Sequence, residues 1–182
     1  MADYVTRQYL TGADIRELRA RLGFTQKDLS VFLRCSKRRI ESWENSTGKI
    51  TGPIIPLIEI LIRHPDLAGK LELPSLEGCT LRVWYYHRQL VCSVINVNEP
   101  MRTVSVKNYV DDPLYRAFGI NTEPSYEDYE AFLESRCFPS TRDKMKLQLK
   151  ELDLPFYDPL MIIDKTEGRM AGDDFWIRME RL

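Results

Sequence analysis

The chain has 182 residues, of which 43% are hydrophobic and 29% charged, and its formal net charge at pH 7 is -1. This composition excludes a wholly disordered chain and leaves room for one medium domain or two small ones. No apolar run approaches the roughly 20 residues of a membrane-spanning helix, and the first residues lack the basic start and apolar core of a secretion signal. We therefore expect a cytoplasmic protein without membrane association.

The charge is divided unevenly along the chain. Residues 1–52 carry ten Lys and Arg against six Asp and Glu, a balance of +4, whereas residues 53–182 carry sixteen against twenty-one, a balance of -5. Four basic residues fall within six positions, namely Arg34, Lys37, Arg38 and Arg39. This distribution favours an anion-binding N-terminal part and a C-terminal part with another role, although a solvated helix face would also explain the cluster.

The first 66 residues predict four helices and a final short helical turn. Polar residues that can cap a helix precede the first three, at Thr11 or Gly12, at Thr25 and at Ser36. These caps predict a first helix that ends at Gly23, a second over 26–33 and a third through Trp43. Pro53 predicts the start of a fourth helix, and the turn follows His64-Pro65-Asp66.

The second and third predicted helices are separated by about three residues, and the third has a basic N-terminal end, which is the helix-turn-helix pattern. Its capping and apolar positions are Thr25-Gln26, Leu29, Leu33, Ser36, Ile40 and Trp43-Glu44-Asn45. With these in register, residues 11–66 resemble the phage repressor/Cro-type (Xre-family) DNA-binding domain. Arg34 departs from the family pattern, since it stands where the family usually has glycine. We therefore expect Arg34 to adopt a positive φ at some energetic cost.

The resemblance implies that the third helix enters the major groove of double-stranded DNA. The expected DNA-binding residues are Thr25, Gln26, Ser36, Lys37, Arg38, Arg39 and Ser42. Arg38 and Arg39 have the fork geometry that suits guanine N7 and O6, and which of the two reads a base stays open. Lys37 suits a phosphate, and Gln26 resembles the family residue that clamps the DNA backbone. An aromatic at Trp43 could stack on a base, but packing beside Ile40 is favoured.

The rest of the sequence predicts a small sheet covered by helices. Residues 67–79 are interpreted as a linker, after which three strands are predicted over 81–86, 90–95 and 103–106, forming an antiparallel meander. Three helices then follow, capped by Ser125, by Ser140 or Thr141, and by Asp158. The apolar tail at 173–178 either docks on the fold or forms another strand.

No catalytic motif is found in this second part. It has no glycine-rich phosphate loop, no Gly-x-Ser-x-Gly and no His-Glu-x-x-His. The acidic pairs Asp111-Asp112 and Asp173-Asp174 could bind Mg²⁺, but solvated turns are the favoured interpretation. The four cysteines, at 35, 79, 92 and 137, are too scattered for a Cys-x-x-Cys site, and Cys137 has no neighbouring base. We expect no enzymatic activity, no metal and no cofactor.

A second resemblance covers Cys137 to Ile177. It is carried by Phe138-Pro139-Ser140-Thr141-Arg142, by the spacing of Leu149, Leu152 and Leu154, by Gly168-Arg169-Met170 and by Asp174-Phe175-Trp176-Ile177. These residues resemble a stretch that precedes the kinase core in some HipA-like kinases, where the hairpins before it form a small N-terminal subdomain. No kinase catalytic loop or metal-binding Asp motif follows them. The resemblance therefore implies an antitoxin with a kinase-subdomain-like module, whose partner is a HipA-like kinase.

Together these features predict an α+β protein. An N-terminal all-α helix-turn-helix bundle over 1–70 is followed by a small antiparallel sheet packed with helices over 79–182, a partner-binding or dimerisation domain. The expected function is a sequence-specific DNA-binding regulator, an antitoxin-like repressor that binds its operator as a homodimer. An autonomous repressor whose C-terminal domain dimerises or senses a ligand is the alternative.

Overall fold

The computed structural model describes residues 5–141 and 145–182 and divides into two units, one ending at Glu72 and one running from Leu73 to Leu182. Within the described residues it contains eight α-helices, one 3₁₀ turn and a four-stranded antiparallel sheet, which confirms the mixed α+β class. No helix in these ranges is both long and apolar enough to cross a membrane. Each unit has its own hydrophobic core.

The first unit contains five helices: α1 (Gly12–Leu22), α2 (Gln26–Phe32), α3 (Lys37–Glu44), α4 (Ile54–Arg63) and α5 (Asp66–Lys70). The predicted caps of the first three are confirmed, because Thr11, Thr25 and Ser36 each accept a hydrogen bond from the backbone N–H three residues ahead. Each cap satisfies a donor that the helix itself leaves unpaired. The predicted stop of α1 is also confirmed, since Gly23 has a left-handed φ of 67°.

Two expectations for this unit were incomplete. The segment interpreted as linker from residue 67 is helical as far as Lys70, because Ala68 is buried and tertiary packing extends the predicted turn into α5. The unit is also not purely helical. Leu10 and Ile50 form an antiparallel bridge with hydrogen bonds of 2.9 and 2.8 Å, which joins two segments far apart in sequence.

The core of the first unit is aliphatic, and its fully buried members are Leu10, Ile15, Leu18, Leu29, Ile40 and Ile58. Trp43 packs against this core and stays partly exposed. Gly12 is required where α1 meets α3, because a Cβ atom there would lie 2.5 Å from the carbonyl oxygen of Glu44. The start of α1 therefore rests directly on the end of α3.

The sheet of the second unit consists of β1 (Leu81–His87), β2 (Leu90–Asn98), β3 (Thr103–Asn108) and β4 (Phe175–Arg181) in the order β3-β2-β1-β4. The predicted three-stranded meander is confirmed. Its strands run longer than predicted. β1 includes His87 because the first hairpin turn needs only Arg88 and Gln89, with Arg88 at a φ of 54°, and β2 extends to Asn98 because its last residues pair with β3. The apolar tail is the fourth strand and pairs with β1, placing Tyr85 opposite Ile177.

The helices α6 (Tyr126–Ser135), α7 (Met145–Glu151) and α8 (Pro159–Thr166) pack with the sheet in the second core. The predicted caps Ser125 and Asp158 are confirmed by hydrogen bonds from the residue three ahead. The predicted cap at Ser140 or Thr141 concerns a helix start at 142–144, outside the described residues. A short 3₁₀ turn, Pro113–Tyr115, precedes α6.

The segment before β1 is fixed to the sheet by two buried polar side chains. Arg82 donates to the carbonyl oxygen of Pro74, and Asn96 donates to that of Ser75 at 2.7 Å. Arg82 also donates to the side chain of Asn96 at 2.8 Å, and both residues are only 4% exposed. This part of the predicted linker therefore belongs to the second unit.

Candidate nucleic-acid interface

The connection between α2 and α3 is tight. The N–H of Cys35 donates to the carbonyl of Ser30 at 3.0 Å and the N–H of Arg34 to that of Val31 at 3.1 Å. This pair of bonds is the Schellman motif, in which the residue directly after the C-cap of the helix has a left-handed backbone conformation. Arg34 provides it with a φ of 50°, as expected from the sequence. The turn fixes where α3 begins relative to α2.

The start of α3 presents a basic surface. Lys37, Arg38 and Arg39 are all exposed, as are Arg34 before the helix and Ser42 one turn further along. No acidic residue lies in the first turn of α3. Cations at this end are unfavourable for the helix, whose N-terminus carries partial positive charge. Their concentration here gives the start of α3 a positive potential that favours anions from solution.

The four expected DNA-binding side chains within α3, those of Lys37, Arg38, Arg39 and Ser42, differ in their contacts. Lys37 forms an ion pair with Glu41 at 3.3 Å, one turn ahead. The guanidinium of Arg39 lies over the indole of Trp43, 5.2 Å from the ring centroid. Arg38 and Ser42 make no side-chain hydrogen bond, ion pair or ring contact with any residue in the described ranges.

The predicted residues at the start of α2 have structural partners. The hydroxyl of Thr25 donates to Asp28 at 2.7 Å and accepts from the Asp28 N–H, closing a capping box. Gln26 is half-buried, and its side-chain amide donates to Oε2 of Glu44 at 2.8 Å. Since Glu44 ends α3, this bond ties the start of α2 to the end of α3. Of the seven expected residues, six are exposed and Gln26 is half-buried.

Glu44 is the buried residue next to the candidate interface that the sequence-based site omitted. It is 4% exposed, and its carboxylate accepts hydrogen bonds from Arg19 at 2.7 Å and from Gln26. Burial raises the pKa of Glu44, but the hydrogen bonds and the positive charges of Arg19 and Arg16 outweigh burial and hold the pKa below its ordinary value. The sequence could have predicted the burial of Glu44, because Glu44 follows Ile40 by four positions and therefore lies on the same face of the helix.

The second unit places its candidate chemical groups in structural roles. Asp173 accepts two hydrogen bonds from Arg136, which holds the pKa of that carboxyl below its usual range, and Asp174 pairs with Arg88 at 2.7 Å. Burial raises the pKa of Cys137 to about 12, so its thiol stays protonated and unreactive at neutral pH. No group of three potential metal ligands occurs within 5–141 and 145–182.

Comparison with known proteins adds no assignment. The chain matches no protein-family model, and a search of curated proteins found no significant relative. The geometry of α2, α3 and the turn between them is therefore the observation on which a functional assignment depends.

Proposed function

We propose that the protein is a sequence-specific DNA-binding regulator in which α2 and α3 act as a helix-turn-helix. The observation that carries the proposal is the exposed basic start of α3. A tight turn fixes this start relative to α2, and the buried Glu44 connects the other end of α3 to α1 and α2. In this arrangement α3 enters the major groove, and its first residues contact base edges. The basic residues supply most of the affinity by neutralising phosphates.

The start of α2 contributes to holding the DNA backbone. Backbone N–H groups in the first turn of a helix have no partner within the helix and favour phosphate, although Thr25 already accepts from that of Asp28. Gln26 stands at that position, and its bond to Glu44 limits the positions that its side-chain amide can take. One N–H of that amide is used by Glu44, and the other can donate to a phosphate oxygen.

The second unit is proposed as the partner-binding part of an antitoxin-like repressor, with a HipA-like kinase as the partner that the resemblance implies. Several of the resemblance residues serve its core: Gly168 and Ile177 are buried, and Phe138 packs edge-on against Tyr157. Arg142 lies outside the described residues. A homodimer is proposed because such domains bind two half-sites about one DNA turn apart.

Binding-site selection from a random DNA library with the full-length protein tests the proposed function. We expect enrichment of one motif in two copies and an affinity that falls steeply with salt, by a factor of ~10³ or more between 50 and 200 mM if six or more phosphates are contacted. The double variant Arg38→Ala, Arg39→Ala should lose the enrichment. Arg178→Ala, which removes an exposed arginine from β4, is the matched control. The absence of any enriched motif, with salt-insensitive binding, would contradict the proposal.

Affinity purification from the native cell tests the role of the second unit. A stoichiometric complex with a HipA-like kinase, lost when the second unit is destabilised by Arg136→Met, supports the antitoxin proposal. Recovery of the protein with operator DNA and no partner supports the autonomous repressor instead.

A further inference from the structure

The direction of each side chain on α3 follows from helix geometry. Successive residues of an α-helix are rotated by about 100° around its axis. Ile40 and Glu44 are buried and mark the side of α3 that faces the core. Arg38 precedes Ile40 by two residues and Ser42 follows it by two, so each lies about 160° around the axis from Ile40. The two side chains therefore flank the line on the helix surface that is directly opposite Ile40. Arg39 lies about 100° from Ile40, on a flank of the helix, whereas Lys37 lies only about 60° from Ile40 and is closer to the core side.

The contacts of the two arginines agree with this division. Arg39 rests on the flank against the indole of Trp43, a cation–π contact that lowers its freedom to extend outward. Arg38 has no such contact within the described part of the chain, so its guanidinium can extend from the outer face. Lys37 is paired along the helix with Glu41 and lies about 100° around the axis from Arg38, off the outer face.

We propose that Arg38 is the residue that reads a guanine, with Ser42 against the neighbouring base pair, and that Arg39 contacts the phosphate backbone from its place on Trp43. This inference rests on the proposed function and assigns separate roles within it. A guanidinium at the outer face can donate two parallel hydrogen bonds to guanine N7 and O6, the commonest specific contact in the major groove. A guanidinium stacked on an aromatic ring keeps its edge N–H groups free for a phosphate. Each operator half-site therefore contains one G·C pair that Arg38 recognises.

The test uses the full-length protein and the operator obtained by selection. In this operator each guanine is replaced in turn by 7-deazaguanine, which lacks the N7 acceptor and leaves pairing intact. For the wild-type protein, replacement at one position per half-site should lower the affinity about 10-fold or more relative to the unmodified operator. The reason is that a bidentate contact discriminates by roughly 1–3 kcal/mol, and 1.4 kcal/mol is a factor of ten. The Arg38→Ala variant should bind the unmodified operator and the operator with 7-deazaguanine at that position equally well.

Arg39→Ala serves as the comparison in the same assay. It should lower the affinity for both DNAs by a similar factor, keep the penalty for 7-deazaguanine, and reduce the slope of log K against log salt by about 0.9. Arg38→Lys, which retains the charge but not the fork, should keep the salt slope and lose most of the guanine preference. The Arg38 and Arg39 side chains are both exposed, and Arg38 makes no side-chain hydrogen bond, ion pair or ring contact with the described residues, so these variants are expected to fold, which a thermal melt verifies.

The outcomes separate this inference from the proposed function. If the wild-type protein selects a motif but Arg39→Ala, rather than Arg38→Ala, removes the guanine preference, the division of roles is wrong and the DNA-binding function stands. If no guanine in the selected operator responds to the N7 replacement, the proposed base contact is likewise wrong. If the wild-type protein selects no motif at all, the proposed function fails and this inference fails with it.

Discussion

Glu44 and Arg19 form an ion pair across the first unit, with the guanidinium Nε of Arg19 donating to the carboxylate at 2.7 Å. The pair joins α1 to the end of α3, where the side chain of Arg16 also donates to the Glu44 carbonyl. The carboxylate of Glu44 also accepts a hydrogen bond from Gln26 at the start of α2. A single buried acid therefore connects the three helices that determine how α3 is presented.

Replacing Glu44 with Gln should destabilise the first unit by about 2–3 kcal/mol. The variant leaves Arg19 without a counter-ion in a partly buried position, and removing one partner of such a pair costs more than the pair contributed. Chemical denaturation of the full-length protein measures this, with each transition fitted separately. Glu41→Gln removes only the exposed pair with Lys37 and should cost about 0.5 kcal/mol or less. Equal losses in the two variants would show that Glu44 is not the connecting residue.

The same carboxylate predicts a pH dependence. Because the pKa of Glu44 is lower in the folded protein than its ordinary value of 4.5, the unfolded state binds the proton more readily. Its contribution to stability is therefore complete above pH 4.5 and is lost as pH falls through the lowered folded pKa. Denaturation between pH 7 and pH 3 should show a decline in this window that is shallower in Glu44→Gln. Parallel curves for the two proteins would contradict the assignment.

Arg34→Gly should stabilise the protein. A non-glycine residue in the left-handed region costs roughly 1–2 kcal/mol. Glycine removes this cost, but its greater conformational freedom in the unfolded chain offsets part of the gain. The net gain expected from denaturation is about 0.5–1 kcal/mol. Arg34→Ala keeps the strained backbone and removes the same charge, so it should show no gain. A gain in both variants would attribute the effect to charge rather than to the φ of 50°.

Arg136 should be the most sensitive position of the second unit. Its side chain is 8% exposed and donates to the carbonyls of Gly168 and Phe175 and to Asp173, which fixes the segment before β4. Arg136→Met leaves these acceptors unpaired and should cost about 3 kcal/mol. Calorimetry should show the transition of this unit at lower temperature. Arg102→Ala, in an exposed pair with Glu130, should leave that transition in place.

Local features of the fold were readable from the sequence. The capping residues Thr11, Thr25 and Ser36 and the stop at Gly23 act on groups within four residues along the chain, so their effect depends little on the rest of the molecule. The positive φ of Arg34 was expected from the helix-turn-helix resemblance, because Arg34 stands where that family usually has glycine. The predicted basic surface also needed only the helical period and the order of the charges.

Long-range pairings were decided by the tertiary structure. The sequence left the C-terminal tail as either a docked segment or a strand, and only the pairing with β1, some 90 residues earlier, makes it β4. Likewise, Arg38 and Arg39 are equivalent as residues, and the position of Trp43 and the buried side of α3 distinguish them. Periodicity and capping determine which segments are helices or strands, whereas the packing of surfaces that are distant in sequence determines which side chains remain free to bind.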